Sequence, residues 1–304
     1  MAGAVYSAVM VTFRLADPDE NQRWFAEFSQ RLTAWYGGHG AVTLSRRVQG
    51  WSDDPGELHT IVEPGSERAA GFLALAVREG MSLVTDIWVE PELRGRGYGR
   101  AARRFAEEWA ARHEPRLGIV VSTDDPAAAA LAADLPLRVQ KMVKRLESPA
   151  LPSGITVRPM VDAEYDAWLA ADIEGYAADV SGSGLLPYAE AREMSTKAYE
   201  AMLPDRLATS GYTWWCLDTD TDRAVAAIWL KHTFAPDMSY VYSVETRPEQ
   251  RGRGYGRAAM LAGEWATAQA GHQYLGLNVF GHNTIAIRLY DSLGYVVAEQ
   301  LRST

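Results

Sequence analysis

The sequence predicts an α/β protein of two tandem domains, and three observations carry that prediction. Arg94-Gly95-Arg96-Gly97-Tyr98-Gly99-Arg100-Ala101-Ala102 recurs letter for letter from Arg251 to Ala259, each time behind a Pro-Glu pair (Pro91-Glu92, Pro248-Glu249). Both copies join an alternating apolar stretch to a helical pattern, so a strand passes into a helix through glycines. The length of 304 residues suits two domains of about 150 each.

In the first half a strand is expected near Val5 to Arg14, then a helix over Asp19 to Trp35, with Asp17 and Asp19 as N-caps and Trp24, Phe25, Phe28, Leu32 and Trp35 at helical spacing. Strands follow at His59 to Val62, Gly71 to Val77 and Leu83 to Val89, the last feeding the motif and a helix over Ala101 to Arg112. Leu117 to Ser122 reads as a strand, Asp125-Pro126 opens an alanine-rich helix as N-cap and N1 proline, and Arg138 to Leu146 is the last strand. A Pro-, Ser- and Gly-rich linker over 148–154 separates domains 1–147 and 155–304. The second half repeats the plan: strand Ile155 to Arg158, helices Asp162 to Ala178 and Pro187 to Leu203, and strands Tyr212 to Leu217, Ala224 to Lys231 and Ser239 to Thr246. Helix Gly256 to Ala270, strand Gln273 to Val279, helix Thr284 to Ser292 and strand Tyr295 to Glu299 complete it.

Composition narrows the function. A net charge of −9 argues against a nucleic-acid partner despite the Arg-Gly-Arg runs. The acidity is uneven, with 18 basic and 20 acidic groups in residues 1–150 against 12 and 19 in the remainder, so the second half would attract a cationic acceptor such as an amine. No apolar run is long enough to cross a membrane, no signal peptide is legible, and a cytoplasmic location is expected. The single Cys216 reads as a core residue, and the six scattered histidines argue against a metal.

Glycines at a strand-to-helix junction let backbone N–H groups converge at the helix N-terminus, where the dipole favours an anion, and the flanking arginines add fixed positive charge. A pyrophosphate fits such a concavity. Neither copy ends in Gly-Lys-Ser/Thr, and Gly95-x-Gly97-x-Gly99 does not match Gly-x-Gly-x-x-Gly, so P-loop and dinucleotide readings are set aside. Arg-Gly-Arg-Gly-Tyr-Gly instead resembles the acyl-CoA loop, Arg/Gln-x-x-Gly-x-Gly/Ala, of the GNAT superfamily of N-acetyltransferases. The run from Asn278 through Asn283, Tyr290 and Gly294-Tyr295 likewise resembles that family's Asn-x-x-Ala-x-x-Leu-Tyr-x-x-Leu-Gly-Phe/Tyr signature.

The resemblance covers nearly the whole chain and implies two domains, each a mixed, mostly antiparallel sheet flanked by helices, with acetyl-CoA as co-substrate, no metal, and a small-molecule amine as acceptor. Arg251, Arg253, Gly254, Gly256 and Arg257 would hold the pyrophosphate, with Gly252, Tyr255 and Asn278 in the same cofactor-binding set and Asn283 against the donor arm. Backbone N–H groups of Val244, Thr246 and their neighbours would polarise the thioester carbonyl. Arg94, Arg96, Gly97, Gly99 and Arg100 would do the same work if the first half binds the donor. Tyr290 would be the general acid: a phenol of pKa ~10 can protonate a departing thiolate whose conjugate acid has pKa ~8.5.

An attacking amine must first lose a proton, and Glu245, three residues before Pro248, is the candidate base, with Asp237, His232 and Tyr242 in reserve. The equivalent of Glu245 in the first half is Trp88, and that of Tyr290 falls on Ala132 or Ala133, so the first domain is expected to be catalytically degenerate. The acceptor region would be aromatic, drawing on Tyr176, Tyr188, Tyr199, Tyr212, Trp214, Trp215 and Trp229, with Asp172, Glu174 and Asp179 nearby. The tandem arrangement is also similar to that of mycothiol synthases, which would make the acceptor a cysteinyl pseudodisaccharide. A donor-binding module without turnover is the rival of a different class. A monomer or a homodimer is expected.

Overall fold

A computed structural model describes residues 11–36, 56–78, 80–122 and 125–304. The chain resolves into two compact units. The first contains β1 (Thr12–Leu15), α1 (Pro18–Tyr36), β2 (Glu57–Val62), β3 (Ala69–Arg78), β4 (Met81–Val89), α2 (Tyr98–Ala110), β5 (Leu117–Ser122) and α3 (Pro126–Leu131). Its strands lie in the order β1-β2-β3-β4-β5, antiparallel except for the parallel pair β4/β5. The predicted first strand extends to residues 5–10, which lie outside the described residues, as do the side chains of Leu32 and Trp35.

The second unit contains β6 (Leu137–Arg145), β7 (Thr156–Pro159), α4 (Asp162–Gly182), α5 (Tyr188–Met202), β8 (Tyr212–Asp218), β9 (Ala226–Ala235), β10 (Met238–Thr246), α6 (Tyr255–Gln269), β11 (Tyr274–Phe280), α7 (Thr284–Ser292) and most of β12 (Val296–Ser303). Its strand order is β12-β6-β11-β10-β9-β8-β7, with β10/β11 parallel and β6/β11, β9/β10, β8/β9 and β7/β8 antiparallel. Each unit is therefore a mixed, mostly antiparallel sheet flanked by helices.

The compact units do not coincide with the two repeats. β6, the last strand of the first repeat, runs antiparallel to β11 from Tyr274↔Arg145 to Phe280↔Val139 and belongs to the second unit, while Leu301–Thr304 belong to the first. Two ion pairs hold β6 there, Lys144 with the buried Glu264 and Lys141 with the buried Glu299, each at 2.7 Å. Composition marks the linker at 148–154, but a strand's place in a sheet depends on long-range pairing that no local pattern encodes.

Local chemistry explains the elements. Asp17 and Glu20 form a reciprocal cap at the start of α1, Glu20 N–H donating to Asp17 Oδ1 at 2.9 Å and Asp17 N–H to Glu20 Oε2 at 3.1 Å. Asp125 caps α3 through the N–H groups of Ala127 and Ala128, and Asn283 caps α7 through that of Ala286. On α6 the buried stripe Ala258, Ala262 and Ala266 lets the helix lie close on the sheet with Leu230, Val241 and Leu275 beneath it. The opposite face of that sheet buries Trp168, Tyr199, Trp214 and Trp229 beneath α4 and α5.

Candidate functional site

The site of the second unit is built on an interrupted ladder. β10 and β11 pair in parallel from Met238↔Tyr274 to Val241↔Leu277 and then stop, although β10 continues to Thr246 beside β9 and β11 to Phe280 beside β6. A β-bulge between Val241 and Ser243 marks the point of divergence. Val241 and Val244 pack toward α6, whereas Tyr242 joins the aromatic cluster under α4 and α5, and Ser243 donates its hydroxyl to Asp172 on α4. The bulge thus turns two consecutive side chains to the same face, and Glu245 follows Ser243 onto it.

Beyond the strand, Gly252 (φ 76°) and Gly254 (φ 86°) take left-handed conformations that L-side chains rarely adopt, and Gly254 is the N-cap of α6. Arg251 Nε donates to the Thr246 carbonyl at 3.2 Å, tying the loop to the end of β10, and Arg257 donates to Ser292 Oγ on α7. Arg251, Arg253 and Arg257 are exposed, with Tyr255 half-buried behind them. A Cβ on Gly256 would lie 3.6 Å from both Leu289 Cδ2 on α7 and Thr246 Oγ1 on β10, so the start of α6, α7 and the splayed end of β10 meet at one place. The first unit repeats the loop: Gly95 (φ 75°) and Gly97 (φ 93°) precede α2, and Arg94 Nε donates to the Val89 carbonyl at 3.0 Å. Arg96 and Arg100 are exposed and Gly99 packs near Leu131.

Tyr290 is buried on α7, and burial pushes its phenol up to about 12. That is higher than a free phenol, so the group keeps its proton throughout the neutral range. Among the described residues nothing bonds its hydroxyl. Glu245 is half-buried on β10, and burial raises its carboxyl above the usual carboxylate range against the opposing pull of Arg251. Asp172, which the sequence suggested only as a nearby acid, is the most perturbed carboxylate: burial, joined by the charge of Glu245, raises it to about 6 against the hydrogen bonds from Ser243 and from Tyr199, whose hydroxyl donates at 2.7 Å. Its place in the apolar stripe of α4, four residues after the buried Trp168, was the readable signal.

Other sequence-derived candidates separate. Asn278 is exposed on β11 and accepts from the Tyr240 hydroxyl at 2.6 Å. His232 has both ring nitrogens engaged, by Thr213 and Ser239, and Asp237 holds the turn before β11 through the Gln273 N–H; both lie at the end of β10 remote from Glu245. Trp214, Trp229 and Tyr199 are core, Tyr212 packs against Trp229, and Tyr176 and Tyr188 are exposed. Trp215 faces the other side of the sheet against Trp265 and leaves the acceptor set. Glu174 bonds Tyr188 and Arg192 between α4 and α5, while Asp179 meets His282 at 3.2 Å. Cys216 is buried with its thiol pushed up to about 12, which leaves no thiolate for nucleophilic work. Among the described residues no group of His, Cys, Asp and Glu is arranged to hold a metal, and no helix is long and apolar enough to cross a membrane.

In the first unit, aligning the two N-caps Asp125 and Asn283 resolves the gap left open by the sequence, placing the buried Ala132 where the second repeat has Tyr290. Trp88, in the place of Glu245, is buried against Phe72 at 5.8 Å.

A parallel strand pair that stops short of its strand's end, β10/β11 in the second unit and β4/β5 from Ser82↔Leu117 to Val84↔Ile119 in the first, leading into a glycine–arginine loop at a helix N-terminus, defines a tandem acyltransferase fold. The chain belongs to the acetyltransferase (GNAT) family, whose model matches residues 13–135 and 185–295. It is 29% identical over 253 residues to the mycothiol acetyltransferase of Kytococcus sedentarius, covering 79% of each chain. It is 28% identical over 146 residues to the uncharacterized N-acetyltransferase YdgE of Bacillus subtilis, covering 47% of this chain and 93% of that one. Among solved structures, a GCN5-related N-acetyltransferase from Sphaerobacter thermophilus aligns with a TM-score of 0.61 at 20% identity, over 97% of this chain and 95% of that one. A tandem GNAT protein from the clavulanic acid biosynthesis pathway aligns with 0.52 at 19%, over 97% and 98%.

Proposed function

We propose that residues 155–304 transfer an acetyl group from acetyl-CoA to a primary amine of a small-molecule acceptor, by direct attack in a ternary complex. The observation that carries this reading is the convergence of the splayed β10, the glycine–arginine loop and α7, with a raised carboxyl on the strand and a buried phenol on the helix. The fit to the donor rests on the left-handed Gly252 and Gly254 at the head of α6 and on the backbone of residues 242–246, which has lost β11 as a partner. Arg251, Arg253, Arg257 and the N–H groups at the start of α6 would hold the pyrophosphate, and the open strand edge would pair with the pantetheine amides as a further strand.

When bound, the donor supplies an acetyl group activated as a thioester. Glu245, less acidic than a free carboxylate, would take the proton of the acceptor's ammonium or of the attacking amine. N–H groups around Val244 and Thr246 would face the negative charge developing on the carbonyl oxygen. Tyr290, still protonated at neutral pH, would donate toward the departing sulfur as charge accumulates there. The first repeat, with Ala132 and Trp88 in the equivalent places, would hold the donor without turnover or support the second.

The test is release of free CoA thiol from acetyl-CoA over a panel of amines, on wild type and Tyr290→Phe, with donor binding measured by calorimetry. Turnover that collapses in the variant while donor affinity holds supports the reading. Tight donor binding with no turnover on any amine overturns it in favour of a donor-binding module. One observation favours a second reading, the similarity to mycothiol acetyltransferase across 79% of the chain. On that reading the panel should include a cysteinyl pseudodisaccharide, whose amine is also primary.

A further inference from the structure

The two repeats share one sequence register along the helices α1 and α4. Arg14 and Glu20 pair at 2.7 Å in the first, and Arg158 and Glu164 at 2.6 Å in the second; Trp24 and Trp168 are buried at the matching helical positions. Continuing along the helices in that register, Phe28 becomes Asp172 and Arg31 becomes Gly175. On the strands, Asp86 becomes Ser243 and Trp88 becomes Glu245.

In the first repeat the space between helix and strand is filled by the protein's own cation. The buried Asp86 accepts from Arg31 at 3.1 and 2.7 Å and from Trp24 Nε1 at 2.8 Å. The Arg31 guanidinium lies 5.9 Å from the ring centres of both Phe28 and Trp88. In the second repeat the carboxylate has crossed from strand to helix as Asp172, and Gly175 stands where the arginine was; a Cβ there would meet nothing within 4 Å. Among the described residues no Lys, Arg or His pairs with Asp172, whose surroundings are the Ser243 and Tyr199 hydroxyls and the charge of Glu245, with the Trp229 ring against Tyr199 and the Tyr242 ring against Trp229. A buried carboxylate facing a second carboxylate without a counter-ion is costly, and its ionisation shifts accordingly. The carboxylate that Arg31 neutralises in one repeat has its counterpart in the other without a cationic partner among the described residues.

Building on the acetyl-transfer reading, we propose that the acceptor enters as a cation and that Asp172 holds its ammonium or guanidinium group in the place that Arg31 occupies in the first repeat. Asp172 is then a specificity-determining residue: it selects cationic acceptors and delivers them beside Glu245.

The sharpest test restores the missing arginine. Gly175→Arg sits three residues from Asp172 on one helix, the spacing of Arg31 from Phe28, and Gly175→Gln is its uncharged control. Calorimetric titration with n-butylamine, 1,4-diaminobutane and agmatine, against neutral 1,4-butanediol, reads acceptor binding without requiring turnover. At least one cationic probe should bind wild type in preference to the diol, with affinity reduced tenfold or more in Gly175→Arg and in Asp172→Asn and within threefold of wild type in Gly175→Gln. Acetyl-CoA affinity should stay within twofold throughout, which also shows that the variants fold. No cationic probe binding in preference to the diol, or equal losses in Gly175→Arg and Gly175→Gln, overturns the proposal. Cation binding that follows this pattern without thiol release would sustain the site and count against acetyl transfer alone.

Discussion

The nine residues shared by the two repeats are identical, and the two glycine–arginine loops fold alike, with left-handed glycines at Gly95, Gly97, Gly252 and Gly254 and an arginine tied back to its strand in each. The repeats differ one layer away, where the reacting atoms would sit. Trp88, Ala132 and the Arg31–Asp86 pair close the first, while Glu245, Tyr290 and Asp172 line the second. On the proposed reading an anion-binding loop made of backbone would be retained because glycine conformation alone builds it. The proposed acid–base chemistry would rest on individual side chains and would disappear with one substitution at each position.

The largest expected effect tests that contrast directly. Tyr290→Phe should lower kcat by about 10²–10⁴-fold, the usual range for a positioned general acid, with acetyl-CoA affinity unchanged by calorimetry. Because burial pushes this phenol up to about 12, its ionisation adds no alkaline limb to the wild-type profile in the neutral range. Undiminished thiol release in the variant would remove Tyr290 from the mechanism.

Glu245→Gln should follow, with a loss of about 10²-fold in kcat at neutral pH. The wild-type rate should climb with pH through a limb above the usual carboxylate range, because a base works only once deprotonated and burial raises this carboxyl. The variant should lose that limb. A limb that persists unchanged would assign the base elsewhere, with Asp172 first in line.

These residues differ in how far the sequence revealed them. Every described α-helix and strand overlaps its predicted span because caps such as Asp125 and Asn283 and apolar periodicity are local, whereas the 3-10 turns at Pro91–Leu93, Arg206–Ala208 and Pro248–Gln250 were not foreseen. Tyr290 was singled out by the resemblance to the family signature, Glu245 by its place three residues before Pro248, and the loops by the exact repeat. Asp172 was only one acid among several, since its importance comes from Ser243 and Tyr199, residues 71 and 27 positions away. The β-bulge that brings Ser243 to it leaves no mark in an alternating pattern, and the insertion of β6 beside β11 depends on partners more than a hundred residues distant.

Asp172→Asn should produce a smaller, pH-dependent change in stability. A carboxyl raised from 3.8 to about 6 in the folded protein binds its proton more tightly than in the unfolded chain. Its contribution is therefore fully present below the unfolded value and is lost as pH rises through about 6. At about 1.4 kcal/mol per pKa unit, the wild type should lose roughly 2–3 kcal/mol from this group between pH 4 and pH 7. Asparagine does not titrate, so the stability of the variant relative to wild type should improve by that amount over the same interval, whatever constant cost the amide carries. Urea denaturation at both pH values measures the difference, and a pH-independent offset would mean that the carboxyl is not strained by burial.

The smallest effect separates the two loops from each other. Gly97→Ala and Gly254→Ala place a Cβ on backbones with φ of 93° and 86°, in open space in both cases, so each should cost about 1–2 kcal/mol of local strain and nothing through contact. The strain is the same, but its consequence should not be. Gly254 is the N-cap of α6, and relaxing its conformation redirects the N–H groups that would face the pyrophosphate beside Glu245 and Tyr290. Gly254→Ala should therefore raise KM for acetyl-CoA severalfold, whereas Gly97→Ala should leave both kcat and KM of the second repeat near wild type. Equal kinetic damage from the two substitutions would mean that the first loop takes part in turnover, and that the loss of Tyr290 and Glu245 equivalents has not retired the first repeat from the reaction.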